Sequence, residues 1–371
     1  LATQNRQISQ LQLTWARLRN VFNRLSTPVK ALLSLLLLIA VVGTVYMTKG
    51  EPEEPEPVFT ENPLQVIDSS LYQHSYDRNL SEFLSPEIPD TLPPIAFEPN
   101  MLKALFEQAT YLHRPDVKKF PVKGIGKEEM LETVDRLQAF QLLDPHTMLS
   151  NFDFYRVKTD LSSDRVRVTG YYTPIIKASR TREGPYQWPL YKKPETNLPG
   201  PAAVWAGALA GRGLELAWVR SKKEVKNAQL QGSCLIEFPD GKRQFLGFGG
   251  SVRGGGGSYV FFIKVDEVVL GAGYFPVTAR YTIAVDTRFI PLGATLLAEL
   301  PDIEPGGKQI GTTYRILFAQ DRGGAIKTTK RIDLYSGIGR KGLEEARRIN
   351  RYARLWLMLP KRRAESASTD E

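Results

Sequence analysis

Apolar and polar positions divide the chain into four stretches of different character. The first is an uncharged, almost wholly apolar run, "ALLSLLLLIAVVGTVYMT", over 31–48. It reaches the lower end of the roughly 17–25 residues that a membrane-crossing helix needs. The second stretch holds "EPEEPEPVFTENP" and "SPEIPDTLPP", whose alternating acids and prolines predict an extended spacer rather than a core. In the third, from Met101 to Leu149, apolar residues recur at helical spacing. Leu102, Leu105, Phe106 and Ala109 form one such face, and Met130, Leu131, Val134, Leu137 and Leu142 a second.

After Asp153 the period changes. Short β-branched and aromatic runs such as "RVRVTGYYTPII", "SYVFFIKVDEVVL", "YTIAVDTRFIPLGATLLAEL" and "KRIDLYSG" are punctuated by Gly, Pro and Asp-Gly. Many short strands with few helices predict a mainly β barrel or sandwich. "PDGK" (Pro239 to Lys242) has the composition of a hairpin turn. "RGGGGS" (Arg253 to Ser258) is expected to be a flexible connector. No GxxxxGK follows it and no helix pattern begins after it, so it is no phosphate cradle. We find no internal repeat.

Charge adds a direction to the first stretch. Arg6, Arg17, Arg19, Arg24 and Lys30 precede the apolar run with no acid among them. The positive-inside rule then keeps the N-terminus cytoplasmic and exports everything after Thr48. No small-x-small cleavage site follows, so an uncleaved single-pass anchor is expected rather than a signal peptide. The formal charge of +9 over 371 residues is spread along the chain, and the strands hold no dense basic patch for nucleic acid. Cys234 is the only cysteine, which rules out an intrachain disulfide and a thiolate zinc site. His74, His113 and His146 lack metal-binding spacing.

Three aspartates carry the candidate chemistry. Strand alternation points Ile332 and Leu334 one way and Arg331, Asp333 and Tyr335 the other. Asp321 ends "ILFAQD" and opens a "DRGG" turn, and Asp286 ends "IAVD". Asp286 and Asp321 are equally suited to capping turns. Asp333 is harder to assign to structure alone, because Asp is disfavoured within a strand. Lys327, Lys330 and Arg331 crowd the same segment and oppose a divalent cation, so no metal is expected. An acid in a cleft beside another acid suits glycosidic chemistry. Tyr171, Tyr172, Tyr186, Trp188 and Tyr191 offer aromatic faces for sugar rings, although such side chains in sheets also simply pack. "QLQGSC" adds small polar groups.

Together, "TGYYTPII", "AGALAGRGLELAWV", "QLQGSCLIEFPDG", "YVFF", "IAVDTRFIPLGATLLAEL" and "AQDRGGAIKTTKRIDLYSG" resemble the membrane-bound lytic murein transglycosylase A family over about Leu92 to Pro360. The last of them resembles its three-aspartate domain. The resemblance implies a double-psi β-barrel with an inserted smaller β domain, a helical N-terminal part and a groove between the domains. With the membrane helix added, the expected organisation is a cytoplasmic arm over 1–30, an anchor over 31–48 and a linker over 49–91. Helices and the first barrel segment follow over 92–175, the inserted β domain over 176–270, the second barrel segment over 271–360 and a tail over 361–371.

The implied activity is cleavage of the β-1,4 bond between N-acetylmuramic acid and N-acetylglucosamine in peptidoglycan, leaving a 1,6-anhydro ring, without metal or organic cofactor. Asp333 matches the single general acid/base, and Asp321 and Asp286 match supporting acids. Thr169, Tyr171, Gln231, Gly232, Ser233 and Lys327 are the expected substrate-binding positions. The implied setting is the periplasmic side of the inner membrane, with glycan strands and cell-wall synthesis proteins as partners. Two departures stand out. Cys234 replaces the glycine after the family's serine and is expected to crowd a subsite. The "RGGGGS" run stands where family members usually carry a further helical stretch, which alters one groove wall. A rival expectation from another class is a non-catalytic wall-binding protein that keeps the barrel and the groove.

Overall fold

The computed structural model describes residues 64–74, 80, 82–117, 122–159, 164–255, 257–304 and 308–362. All of them belong to one compact unit, Asn62–Glu371. The described chain begins with four short strands, β1 (Gln65–Val66), β2 (Leu84–Pro86), β3 (Thr91–Leu92) and β4 (Ile95–Ala96). Helices α1 (Pro99–His113) and α2 (Lys127–Gln138), strand β5 (Leu142–Leu143) and helix α3 (Pro145–Asn151) follow. Each helix start has a local cause. Pro99 and Pro145 open α1 and α3, where their missing N–H has no helical partner to lose. The Asp144 carboxylate accepts from Thr147 N at 2.9 Å, and Glu129 accepts from Gly126 N at 3.3 Å.

β6 (Phe152–Val157) and β7 (Val166–Thr173) lead into a different region, separated from β7 only by Pro174. It contains β8 (Ile175–Ser179), β9 (Trp188–Tyr191), α4 (Pro201–Trp205), β10 (Glu215–Val219), α5 (Lys222–Gln231), β11 (Cys234–Glu237), β12 (Arg243–Gly254) and β13 (Gly257–Val265). Its strands form one sheet in the order β13-β12-β11-β8-β10-β9, with its own core around Ile176, Leu190, Ala217, Cys234, Ile236 and Phe262. Leu235 N donates to Pro174 O at 2.9 Å, so the start of β11 is tied to the junction where the chain leaves β7.

The chain then returns through β14 (Thr282–Val285), β15 (Thr295–Ile303), β16 (Gln309–Arg322), β17 (Arg331–Ile338), α6 (Gly339–Arg348) and β18 (Asn350–Pro360). β15, β16, β14, β17, β7 and β18 are neighbours in that order. β15 also pairs with β18, so the six strands close into a barrel. The β14–β16 and β17–β7 pairs are parallel and the rest of the ring antiparallel. β6 joins the outer side of β18, and β2 joins β6. Closure leaves the ring without unpaired edges. Leu296, Ile316, Phe318, Ile332, Leu355 and Trp356 are among the side chains it buries almost completely.

Helix α6 crosses from β17 to β18 and lies directly on β7. A Cβ at Gly170 would sit 2.6 Å from Ala346 Cα and 2.7 Å from Ala346 O. The glycine in "TGYYT" is therefore the seat of a helix. A Cβ at Gly342 would likewise meet Gly337 O at 2.5 Å, so α6 is pinned by close backbone approaches at both contacts.

Four expectations are corrected. Among the described residues no helix is long and apolar enough to cross a membrane. The longest, α1, has 15 residues and buries one face against the core, so it is both too short and too amphipathic. The expected anchor over 31–48 and arm over 1–30 lie outside the described residues, and the fold is mainly β without a membrane helix in what is described. Second, the expected spacer is already packed structure from Gln65 onward. β1 pairs with β3, and Ile67, Leu80 and Ile88 pack on the core, because apolar residues recur there between the prolines. Third, α1 buries Met101, Ala104, Leu105, Gln108, Ala109 and Leu112 and leaves Leu102 and Phe106 exposed, a rotation of the expected face. Fourth, "RGGGGS" is a tight hairpin. β12 and β13 stay paired through Arg253↔Ser258 to Gly254↔Gly257, so ladder hydrogen bonds order a stretch whose composition alone predicts freedom. "PDGK" does turn the chain between β11 and β12, with Gly241 at φ 76°.

The seat at Gly170 makes a direct prediction. Gly170→Ala forces α6 off β7 and should lower the unfolding free energy by about 1–3 kcal/mol. A lower urea midpoint at unchanged slope is the expected readout.

Candidate active site

The site is built on one pair of strands. β7 and β17 run parallel in a register that sets Arg331 opposite Arg167, Asp333 opposite Thr169 and Tyr335 opposite Tyr171. On β17, Ile332 and Leu334 are buried in the barrel core, which puts Arg331, Asp333 and Tyr335 on the other face. On β7, Thr169, Tyr171 and Thr173 share a face for the same reason. The two rows meet side chain to side chain. Thr169 Oγ1 donates a hydrogen bond to Asp333 Oδ1. Arg331 Nε bonds Asp333 Oδ1 at 2.8 Å and Thr169 Oγ1 at 2.9 Å, while Arg331 Nη2 bonds Asp333 Oδ2 at 2.8 Å. Thr173 Oγ1 shares hydrogen bonds with Tyr335 OH at 3.0 Å and Ser233 Oγ at 3.1 Å.

Asp333 is thus forked by a guanidinium, and its side chain is 15% exposed. Its two oxygens differ. Among the described residues, Oδ1 accepts from both Thr169 and Arg331, whereas Oδ2 accepts from Arg331 alone.

Asp321 lies at the end of β16 and is held by three donors. Tyr171 OH donates to Oδ2 at 2.8 Å; Ala272 N and Arg322 N donate to Oδ1 at 2.9 and 2.8 Å. Burial pushes this carboxyl up to about 6, against the lowering effect of those donors and the Arg322 charge. Tyr171 bonds Asp321 and feels the charge of Asp333. Its ring is 5.1 Å from that of Tyr335, and burial, then Asp321, then Tyr335 and Asp333 all raise its hydroxyl well above the ordinary value.

Asp286 is placed elsewhere. It caps the turn after β14, accepting from Arg288 Nε at 3.0 Å, Arg288 Nη2 at 2.6 Å and Thr328 N at 2.9 Å. Arg288 chiefly, and these backbone donors, hold it down at about 2. Its bond to Thr328, a residue at φ 59°, fastens the loop that leads into β17. Among the described residues no three acids, histidines or cysteines converge as a metal cluster.

The other expected positions fall into two groups. Gln231 and Ser233 join the site: Gln231 Oε1 accepts from Tyr172 N at 3.1 Å, and Ser233 reaches Thr173. Between them Gly232 ends α5 in the left-handed region, φ 75°, a conformation that favours glycine. Lys327 is exposed in the turn between β16 and β17. Cys234, expected to crowd a subsite, is fully buried in the core of the second sheet, where burial raises its thiol, and does not enter the site. Tyr191 is likewise buried, so it offers no sugar platform. Two participants escaped sequence reasoning. Thr173 lies in the same period-two row as Thr169 and Tyr171, and that row was the available signal. Ala272 acts through its backbone N–H and leaves no trace in side-chain pattern.

The two perturbed acids predict opposite pH effects on stability. Asp321 has a folded value above its ordinary 3.8, so stability falls as pH rises from there through about 6. Asp321→Asn should therefore raise the melting temperature at pH 8, and the gain should shrink at pH 4.5. Asp286, depressed to about 2, adds stability above 3.8 that is lost as pH falls from there through about 2. Asp286→Asn should lower the melting temperature at pH 8, with a smaller loss near pH 2.5. Thermal scans at the three pH values check both signs.

A family profile described as "3D domain" matches residues 281–359, and one described as "MltA specific insert domain" matches 167–200. The membrane-bound lytic murein transglycosylase A of Escherichia coli (strain K12) is 32% identical over 240 residues, covering 52% of this chain and 65% of that protein. Its namesake in Vibrio cholerae is 26% identical over 238 residues, covering 52% and 64%. The chain thus spans just under two thirds of the length of these relatives. The crystal structure of E. coli MltA with bound chitohexaose superposes with a TM-score of 0.61 at 24% identity, covering 76% of this chain and 96% of that one. A membrane-bound lytic murein transglycosylase from Agrobacterium tumefaciens gives 0.60 at 20% identity, covering 75% and 97%. At such identities these superpositions show a common fold. Both family profiles and the curated relatives point in one direction: the chain is similar to the membrane-bound lytic murein transglycosylase A family, with a match to its 3D domain and to its specific insert.

Proposed function

We propose that the protein is a lytic transglycosylase that cleaves peptidoglycan glycan strands with Asp333 as the single general acid/base. The observation that carries this reading is the asymmetry of the Asp333 carboxyl. Thr169 and Arg331 converge on Oδ1, while Oδ2 has one partner that an incoming substrate can replace. Asp321 is engaged by three donors, and Asp286 is bound up in a turn. Asp333 is the acid left to meet a ligand.

In this mechanism the protonated Asp333 Oδ2 gives its proton to the glycosidic oxygen between N-acetylmuramic acid and N-acetylglucosamine as the C1–O bond breaks. The C6 hydroxyl oxygen of the muramic residue then bonds to C1, and its proton returns to Asp333. Atoms balance without water, the product is a 1,6-anhydro sugar, and no second carboxylate is needed as a nucleophile. Thr169 and Arg331 orient the acid, and Tyr171 couples it to Asp321. Gln231, Gly232, Ser233 and Lys327 are proposed to contact sugar. A polysaccharide substrate is supported by the E. coli relative, whose crystal structure holds bound chitohexaose. A wall polymer as substrate would require the working site to lie on the exported side of the membrane, and the relatives' printed name, membrane-bound lytic murein transglycosylase A, supports a setting at membrane and wall.

Digestion of purified peptidoglycan followed by mass spectrometry tests the proposal. The expected result is anhydro-terminated muropeptides from the wild type. Asp333→Asn should slow their release by about 10²–10⁴-fold, the usual weight of a positioned acid/base. Reducing-end products would instead indicate a hydrolase. Co-sedimentation with peptidoglycan but no turnover by the wild type would favour the wall-binding reading.

A further inference from the structure

A cavity of about 490 Å³ lies against the loop that supports Asp321. Tyr111, Arg114, Asp116, Ala272, Gly273 and Tyr274 form its wall. The proposed reaction uses none of these side chains, although Ala272 is also the residue whose N–H holds Asp321 Oδ1. The volume falls within the roughly 300–1,000 Å³ of small-molecule pockets.

Three features point to an occupant. Tyr274 is 61% exposed and sits at φ 56°, a left-handed conformation that a bulky residue adopts only at a cost. The loop tolerates that cost while presenting an aromatic face to solvent. Neighbouring residues are fixed from behind. Tyr111 stacks on Phe275 with ring centroids 4.4 Å apart, and a Cβ at Gly273 would collide with both rings, at 2.3 Å from Phe275 and 2.8 Å from Tyr111. Finally, the wall carries a self-neutralised polar pair. Arg114 Nε and Nη2 bond the Asp116 carboxylate at 3.0 and 2.6 Å, and Arg114 Nη1 bonds Gly273 O at 2.6 Å. An uncharged ring with adjacent hydroxyls can both donate to Asp116 and accept from Arg114.

We propose that this cavity is a remote glycan subsite that binds one uncharged N-acetylhexosamine unit of the strand held at Asp333, with the ring stacked on Tyr274 and its hydroxyls on the Arg114–Asp116 pair. The proposal rests on the transglycosylase reading and adds a length requirement to it: strands long enough to reach both places bind more tightly than short ones.

The test measures chitotriose and chitohexaose binding by calorimetry in an Asp333→Asn background, which prevents turnover. Tyr274→Ala should weaken chitohexaose about tenfold, the scale of one lost aromatic stack, and leave chitotriose unchanged. Asp116→Asn should weaken the hexamer in the same selective way, and Tyr274→Phe should restore it. An unchanged hexamer affinity in both Tyr274→Ala and Asp116→Asn overturns the subsite, and so does an equal loss for trimer and hexamer. If Tyr274→Ala weakens binding only to strands that retain their peptide stems, and not to strands stripped by an amidase, the occupant is the stem and the glycan assignment fails. If neither oligosaccharide binds the Asp333→Asn protein at all, the transglycosylase reading itself fails.

Discussion

The parallel register of β7 and β17 is the constraint on which the site depends. It sets Asp333 opposite Thr169 and Tyr335 opposite Tyr171, so two rows of polar side chains face one another at sheet spacing. A shift of one residue on β17 would turn Ile332 and Leu334 out of the core and Asp333 into it. Burial of the apolar row therefore enforces the geometry of the polar row. Helix α6 adds a clamp on the same strand through Gly170, and β14 locks β17 from the other side through Ala284↔Asp333.

Within that frame the same residue type serves three ends, separated by what surrounds each carboxyl. Asp286 meets a guanidinium two residues away and is pulled down, so it is a fastener that stays charged down to about pH 2. Asp321 accepts from neutral donors, and burial pushes it up against the Arg322 charge. Asp333 meets a guanidinium and a hydroxyl but keeps one oxygen lightly held. Neighbouring charge, burial and hydrogen bonding act on the three acids in different proportions.

Much of the site was readable where the information is local. Period two on "KRIDLYSG" separates Asp333 from Ile332 and Leu334, and the structure buries those two in the core. Resemblance supplied Thr169, Gln231 and Ser233, which lie 164 to 100 positions before Asp333 in the chain and meet it or its neighbours only through pairing between distant strands. What local pattern cannot carry is register and environment. Asp286, Asp321 and Asp333 look like peers in sequence, yet Arg288 captures the first. Cys234 sits next to Ser233, but a strand begins there and turns it into a core. The glycine run of Arg253 to Ser258 has the composition of a loose connector, and only the long strands on either side make it a hairpin tip. The face of α1 rotated because helix periodicity constrains an apolar stripe less tightly than the tertiary contact that selects it.

The junction between β7 and β8 has a mechanical meaning. One proline, with a fixed φ and no N–H, separates the strand carrying Thr169 and Tyr171 from the first strand of the second sheet. Its carbonyl is bonded to Leu235 N, and Ser233 is bonded to Thr173, so the crossing is stapled by the returning chain as well. Such a joint is a stiff bracket rather than a hinge. Torque on the second sheet is delivered within a few residues to the strand that positions the acid. Any ligand pulled or bent against that sheet would load the site itself.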